Sequence, residues 1–140
     1  MKRISTPFTQ QGDAYEDLLK PRLEKFFNQP LIKSENIYSH YDFKTEQNDI
    51  MIELKARNYM STDFNTTLIS KKKFNYIIQQ PQFYIFIYFI KDDVLMYCND
   101  FKDVIKGSQN YVHKYQGYIV ENLLLDLTQF KPVDKATPPK

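Results

Sequence analysis

Tryptophan is absent from this chain of 140 residues, and cysteine occurs once, at Cys98. A lone cysteine cannot build an internal disulfide framework, which rules out a small disulfide-stapled scaffold and makes a reducing intracellular compartment, cytoplasm or nucleus, the expectation. Long hydrophobic runs are also missing. The longest, Phe83 to Ile90, falls far short of the roughly 20 apolar residues that a spanning helix needs, so no membrane association is expected. The opening Met1-Lys2-Arg3-Ile4-Ser5-Thr6-Pro7 has no apolar core of the kind a signal peptide carries. Charge of one sign is not in excess either. A formal net charge of +2 is too small to argue for a nucleic-acid partner, so any basic footprint must be local.

Hydrophobic residues make up 42% of the chain and charged residues 26%, enough for one compact core in a single domain over residues 1–140, with its core at about residues 12–128. Tyrosine and phenylalanine number 11 each. Abundant lysine, asparagine and isoleucine accompany them, which points to an AT-rich genome such as that of a virus or a low-GC microbe. The same bias weakens any argument that the tyrosines were selected for stacking on bases.

Periodicity organises the chain. Residues 1–11 are polar and read as irregular. From Asp13 onward, Tyr15, Leu18, Leu19, Leu23, Phe26 and Phe27 recur at three- and four-residue intervals, which predicts a helix with one apolar stripe. Asp13 and Glu16 have capping-box spacing. Pro21 should kink or restart the helix, and Asn28-Gln29-Pro30 should end it. Ile37 to Lys44 and Ile50 to Arg57 read as the arms of a β-hairpin with its turn in Thr45 to Asp49. Thr66 to Gln80 reads as a second helix with Leu68, Ile69, Phe74, Ile77 and Ile78 inward, stopped by Pro81. Phe83 to Ile90 has the unbroken apolar and β-branched composition of a central strand covered on both faces. Val94 to Cys98 is a shorter strand, Asp100 to Lys106 one or two helical turns, Gly117 to Leu127 a late strand, and residues 131–140, with three prolines, a loose tail. Helix, hairpin, helix and strand pair make an α/β arrangement, a mixed sheet flanked by helices.

The hairpin carries the chemistry. With Gln47-Asn48 as its two-residue turn, Asp42 lies opposite Glu53; with Asn48-Asp49 as the turn, Asp42 lies opposite Lys55. Glu53 and Lys55 share a strand face, because side chains alternate. Either register therefore gathers Asp42, Glu53 and Lys55, with opposed Cβ atoms roughly 5 Å apart. Asp49 is four residues before Glu53 on the same strand, about 13 Å away, too far to share an ion with it. Carboxylate oxygens bind hard divalent cations, and a lysine beside them can hold or polarise a water. The plainer reading of Glu53-Leu54-Lys55 is an exposed strand-end ion pair of little consequence for stability.

With Tyr41-Asp42 on one strand, Glu53-Leu54-Lys55 on the next, a helix before and a helix and strand after, the chain resembles the PD-(D/E)xK, or restriction-endonuclease-like, nuclease superfamily over roughly residues 12–98. Tyr41 stands where the family has proline. The resemblance implies a restriction-endonuclease-like mixed sheet and metal-dependent hydrolysis of phosphodiester bonds, in DNA first and RNA as the alternative substrate. It implies that Asp42, Glu53 and the backbone carbonyl of Leu54 hold Mg²⁺ or Mn²⁺, and that Lys55 orients the attacking water and stabilises negative charge on the phosphate. It also makes Glu16 a candidate for a second ion or for tuning Lys55, beside its capping reading. A homodimer fits a small nuclease that cuts both strands.

Other residues carry less. Lys71-Lys72-Lys73 points around the second helix and is either a solvated face or a set of phosphate contacts. His40 and His113 have no partner at metal-ligand spacing. Cys98 reads as a small buried hydrophobe. Tyr111, Tyr115 and Tyr118, near His113 and Lys114, are the residues a single-stranded nucleic acid would touch. Fold alone does not establish activity, so a catalytically inactive nucleic-acid-binding or assembly module of the same fold is the rival expectation. A protein-interaction domain using exposed tyrosines is the third.

Overall fold

The computed structural model describes residues 7–34, 41–47, 49–112, 117 and 119–133. The chain opens with helix α1 (Pro7–Phe27), which starts well before Asp13. Proline is suited to a helix's first turn, where no intrahelical partner awaits its missing N–H. Asp13 therefore lies inside the helix and cannot cap it, and the capping-box reading of Glu16 fails. Residues 7–11, expected to be irregular, are helical, and Pro21 does not end the element. The helix stops at Asn28, whose φ of 55° is left-handed. The N–H of Asn28 donates to Lys25 O at 3.2 Å and that of Gln29 to Glu24 O at 3.2 Å, the reciprocal pair that closes a helix C-terminus.

A six-stranded mixed sheet follows. Strands β1 (Leu31–Lys33), β2 (Phe43–Thr45) and β3 (Met51–Arg57) pair antiparallel in that order. β3 then crosses over through β4 (Thr66–Ser70) and helix α2 (Lys71–Ile77) to the parallel strand β5 (Phe83–Phe89). β6 (Val94–Cys98) pairs antiparallel with β5, and the short β9 (Lys131–Pro132) closes that edge. A second, wholly antiparallel sheet has the order β4, β8 (Ile119–Asp126), β7 (Ile105–Val112). The class is α/β, with mixed strand pairing and two helices among the described residues. No helix among them is long and apolar enough to cross a membrane.

β5 is the centre of the molecule, as its composition requires. Phe83, Ile85, Ile87 and Phe89 point to one face, where Ile69, Phe74, Ile77, Leu125 and Phe130 cover them. Phe86 and Tyr88 point to the other, against Leu19 and Leu23 of α1 and Ile52 and Leu54 of β3. Both faces of β5 are therefore buried.

Three expectations need correction. The helix expected over Thr66 to Gln80 is a strand followed by a two-turn helix. Thr66 to Ser70 alternate in burial and pair with β8, a period-two solution that the β-branched Thr66, Thr67 and Ile69 favour. Ser70 then caps α2, its Oγ accepting the N–H of Lys73 at 3.0 Å. Ile78, expected inward, is 51% exposed just past the helix. The helical turns expected over Asp100 to Lys106 give way to a turn and then β7, with a register shift between Ile105 and Gly107. The loose tail contributes β9 before residues 134–140, which lie outside the described residues.

Candidate functional site

The hairpin register is the first thing the site depends on. Phe43 pairs with Ile52 and Lys44 with Met51, which is the register that, extended by one residue, sets Asp42 against Glu53 and not Lys55. The arms are shorter than expected, and residues 35–40 are outside the described set. Thr45 holds the turn. Its N–H donates to Ile50 O at 3.1 Å. Its hydroxyl oxygen accepts the N–H groups of Asp49 and Ile50 at 3.2 Å each and bonds the Asp49 carboxylate. Asp49 is thus committed to the turn, in keeping with its exclusion from the centre on distance.

At Asp42 the ladder departs from regular pairing. The Asp42 N–H donates to Ile52 O at 2.7 Å, and its carbonyl accepts the N–H of Ser34 at 2.8 Å. Its carboxylate Oδ2 accepts the Leu54 N–H at 2.7 Å, which a ladder continued in register would have offered to the carbonyl of residue 41. The carboxylate is therefore held by the backbone of the very triplet that carries Glu53 and Lys55.

Glu53 is 1% exposed. Its Oε2 accepts from Lys55 Nζ at 3.0 Å and from Lys73 Nζ at 3.0 Å. Its Oε1 is buried with no hydrogen-bond partner. A buried acceptor left unsatisfied costs about 1–3 kcal/mol, more when it is charged, which makes this oxygen the place where a further partner would stabilise most. Glu16 of α1 is buried nearby, its Oε1 3.5 Å from Lys33 Nζ, which also bonds Asp17 at 2.9 Å. Burial raises the Asp42 pKa well above the ordinary carboxylate value, and the charges of Glu53 and then Glu16 push the same way; the Leu54 N–H and Lys73 oppose them. The third carboxylate is thus close enough to be felt at Asp42. Even so, among the described residues no three His, Cys, Asp or Glu side chains form one metal-holding group. Asp42, Glu53 and Glu16 are therefore not a ready-made three-ligand cage.

The lysine triplet separates. Lys73 reaches Glu53, Lys71 pairs with Glu121 at 3.4 Å on the surface, and Lys72 is exposed. Sequence reasoning did not see Lys73 as a direct partner of Glu53, because nothing local links a helix residue to a strand twenty positions earlier. It also missed Lys33, which arrives on the unanticipated β1. Arg57 was missed too, although period two continues from Glu53 through Lys55 to Arg57. Arg57 donates through Nε to Thr67 Oγ1 and through Nη2 to Leu68 O, both at 2.8 Å, tying β3 to β4. Burial lowers the pKa of its guanidinium, opposed by Tyr59.

Cys98 is buried, its thiol donates to Asp100 O at 3.3 Å, and burial raises its pKa, which suits a hydrophobe and not a nucleophile. His40, His113, Lys114, Tyr115 and Tyr118 lie outside the described residues, as does the side chain of Tyr111.

The raised pKa of Asp42 predicts a pH dependence. A group whose folded pKa lies above its unfolded value contributes stability that is present below the unfolded value, ordinarily 3.8, and is lost as pH rises through the folded one. Asp42→Asn mimics the neutral acid and keeps an oxygen for the Leu54 N–H. In metal-free urea titrations the variant should gain on wild type from acid toward neutral pH. A stability difference that stays constant with pH would show that Asp42 ionises normally.

Comparison with models of known protein families, with curated proteins and with solved structures finds no match.

Proposed function

We propose that this chain is a metal-dependent nuclease that hydrolyses phosphodiester bonds, in DNA first, on a restriction-endonuclease-like core. The observation that carries this reading is the state of Glu53. One of its oxygens is bonded by two lysines, the other is buried and unpartnered, and the charge of Glu53 is felt at Asp42. Hard divalent cations take carboxylate oxygens, so the donor set fits Mg²⁺ or Mn²⁺. A cation there would satisfy Oε1 and relieve the repulsion between Asp42 and Glu53 without displacing either lysine. The succession α1, β1, β2 after Asp42, β3 with Glu53-Leu54-Lys55, β4, α2, β5 supports the finer fold reading, with β1 and β4 as additions to the expected order.

In this reading Asp42 and Glu53, with the Leu54 carbonyl, hold the cation, whose chemistry when bound is to polarise the phosphate and acidify a water. Lys55 is side-chain exposed by 33%, enough to orient that water and to offset charge developing on the phosphate. Glu16 biases the protonation of Asp42 from α1. Cutting both strands of a duplex takes two such centres, which a homodimer supplies. A reducing intracellular compartment is our reading for a chain whose one cysteine is free.

The test is incubation of purified protein with plasmid and with single-stranded DNA in Mg²⁺ or Mn²⁺. Wild type should cleave, and Lys55→Ala should lose about 10²–10³-fold in rate. No cleavage by wild type, or an undiminished rate in Lys55→Ala, overturns the proposal. RNA in the same panel decides the alternative substrate.

A second reading has its own support. Two lysines on one buried carboxylate, with no three-ligand group among the described residues, also suit a structural ion pair in an inactive nucleic-acid-binding or assembly module. Calorimetric titration with Mn²⁺ separates the two: binding that disappears in Asp42→Ala favours the enzyme, whereas salt-sensitive DNA binding without metal binding favours the module.

A further inference from the structure

We propose that Lys73 pairs with Lys55 as a cationic clamp on the scissile phosphate of DNA. This assignment rests on the nuclease reading and deepens it. Of the three consecutive lysines that open α2, only Lys73 turns to the carboxylate centre, because the helix orientation is set from both sides. Ser70 caps it at Lys73 itself, and the buried Phe74 and Ile77 anchor it to the core. Lys73 Nζ and Lys55 Nζ meet the same oxygen of Glu53, each at 3.0 Å. Two ammonium groups thus converge on a single carboxylate oxygen.

The exposure pattern says where the ammonium groups face. Glu53 is 1% exposed, whereas the side chains of Lys55 and Lys73 are 33% and 24% exposed. An approaching anion meets the two ammonium groups first, with the acid beneath them. A phosphodiester group carries one negative charge and two non-bridging oxygens, and so offers an acceptor to each ammonium group. Lys55 then serves the attacking water while Lys73 bonds a non-bridging oxygen. Lysine acts here as a point charge on a flexible stem, so each ammonium can keep Glu53 while it takes up the phosphate.

Two measurements test this on the whole chain. The first is binding of a short fluorescein-labelled DNA duplex, followed by fluorescence anisotropy in EDTA across a salt series. Removing one phosphate contact should lower the salt slope by about one. Lys73→Gln and Lys73→Met should both show that loss, the second keeping an apolar stem of similar length, while Lys73→Arg keeps the slope. The second measurement is single-turnover cleavage in Mn²⁺, where Lys73→Gln should fall about 10²-fold and Lys73→Arg should recover at least part of the rate. A wild-type salt slope in both neutral variants overturns the clamp. So does a rate loss that Lys73→Arg fails to relieve, since that marks Lys73 as a support for Glu53 alone. Absence of cleavage by wild type ends the nuclease reading, while the salt slopes in EDTA still judge whether Lys73 meets phosphate.

Discussion

Glu53→Gln should slow cleavage about a thousandfold and leave the metal-free protein at least as stable as wild type. The glutamine carbonyl keeps an acceptor for Lys55 and Lys73, both of which also reach water. The substitution removes a buried charge and with it the unpartnered anionic Oε1. Removing one partner of an ion pair is costly when the other is left buried and uncompensated, but the Lys55 and Lys73 side chains are 33% and 24% exposed and can turn to solvent. Activity responds in the opposite direction. Losing several kcal/mol of electrostatic stabilisation in the transition state lowers the rate by about a thousandfold. Metal linkage gives an independent readout. At Mn²⁺ about 100-fold above its dissociation constant, binding stabilises the folded state by about 2.7 kcal/mol, and this increment should be present in wild type and missing in Glu53→Gln. Thermal melts with and without Mn²⁺ measure it. A variant that still cleaves, or that keeps the Mn²⁺ increment, removes Glu53 from the centre. A metal-free loss of about 3–5 kcal/mol, the cost of breaking a buried pair, would favour the structural ion pair and the inactive module.

Phe86→Ala should cost about 3–5 kcal/mol, the range for deleting a buried phenylalanine and leaving a cavity. Phe86 is fully buried on β5. Its ring lies 5.6 Å from Phe26, 5.9 Å from Phe27 and 6.0 Å from Tyr97, so α1, β5 and β6 converge on it. Domains of this kind are stable by only about 5–15 kcal/mol, so the substitution consumes a large fraction of the total. Because β5 is also the parallel neighbour of β3, with Glu53 beside Ile85 and Lys55 beside Ile87, the candidate centre should loosen along with the core. Urea denaturation followed by circular dichroism reads the shift as a lower midpoint at unchanged slope. Ile78→Ala, at an exposed position beyond α2, is the matched control and should move stability by less than about 0.5 kcal/mol. A Phe86→Ala variant as stable as that control would mean that the aromatic cluster is not packed.

The elements that could be read from the chain are those whose local pattern and tertiary environment agree. β5 is continuous in apolar side chains because both its faces are buried. The helical stripe of α1 was visible in Leu19 and Leu23, but its start was not, since Pro7 and the polar residues after it carry no stripe. β4 was misread because Leu68, Ile69, Phe74 and Ile77 also fit a helical repeat; its true period of two appears only when β8 lies alongside. β1 has three residues, too few to show any period. The hairpin was legible as a pair of arms, with two registers open, and the bonds of Thr45 to Asp49 and Ile50 selected one.

The sequence alone placed Glu53 and Lys55 on one strand face and Asp42 at the neighbouring arm of the hairpin, because side chains alternate along a strand and the turn is short. It also determined that Phe83 to Phe89 would be central. Only the tertiary structure decided that Glu53 is buried with one oxygen unpartnered, that Glu16 bears on Asp42 from α1, and that Lys73 shares Glu53 with Lys55. Those three facts depend on how separate elements pack against one another. Burial, orphaned atoms and charge coupling are properties of that packing and leave no periodic trace in the chain.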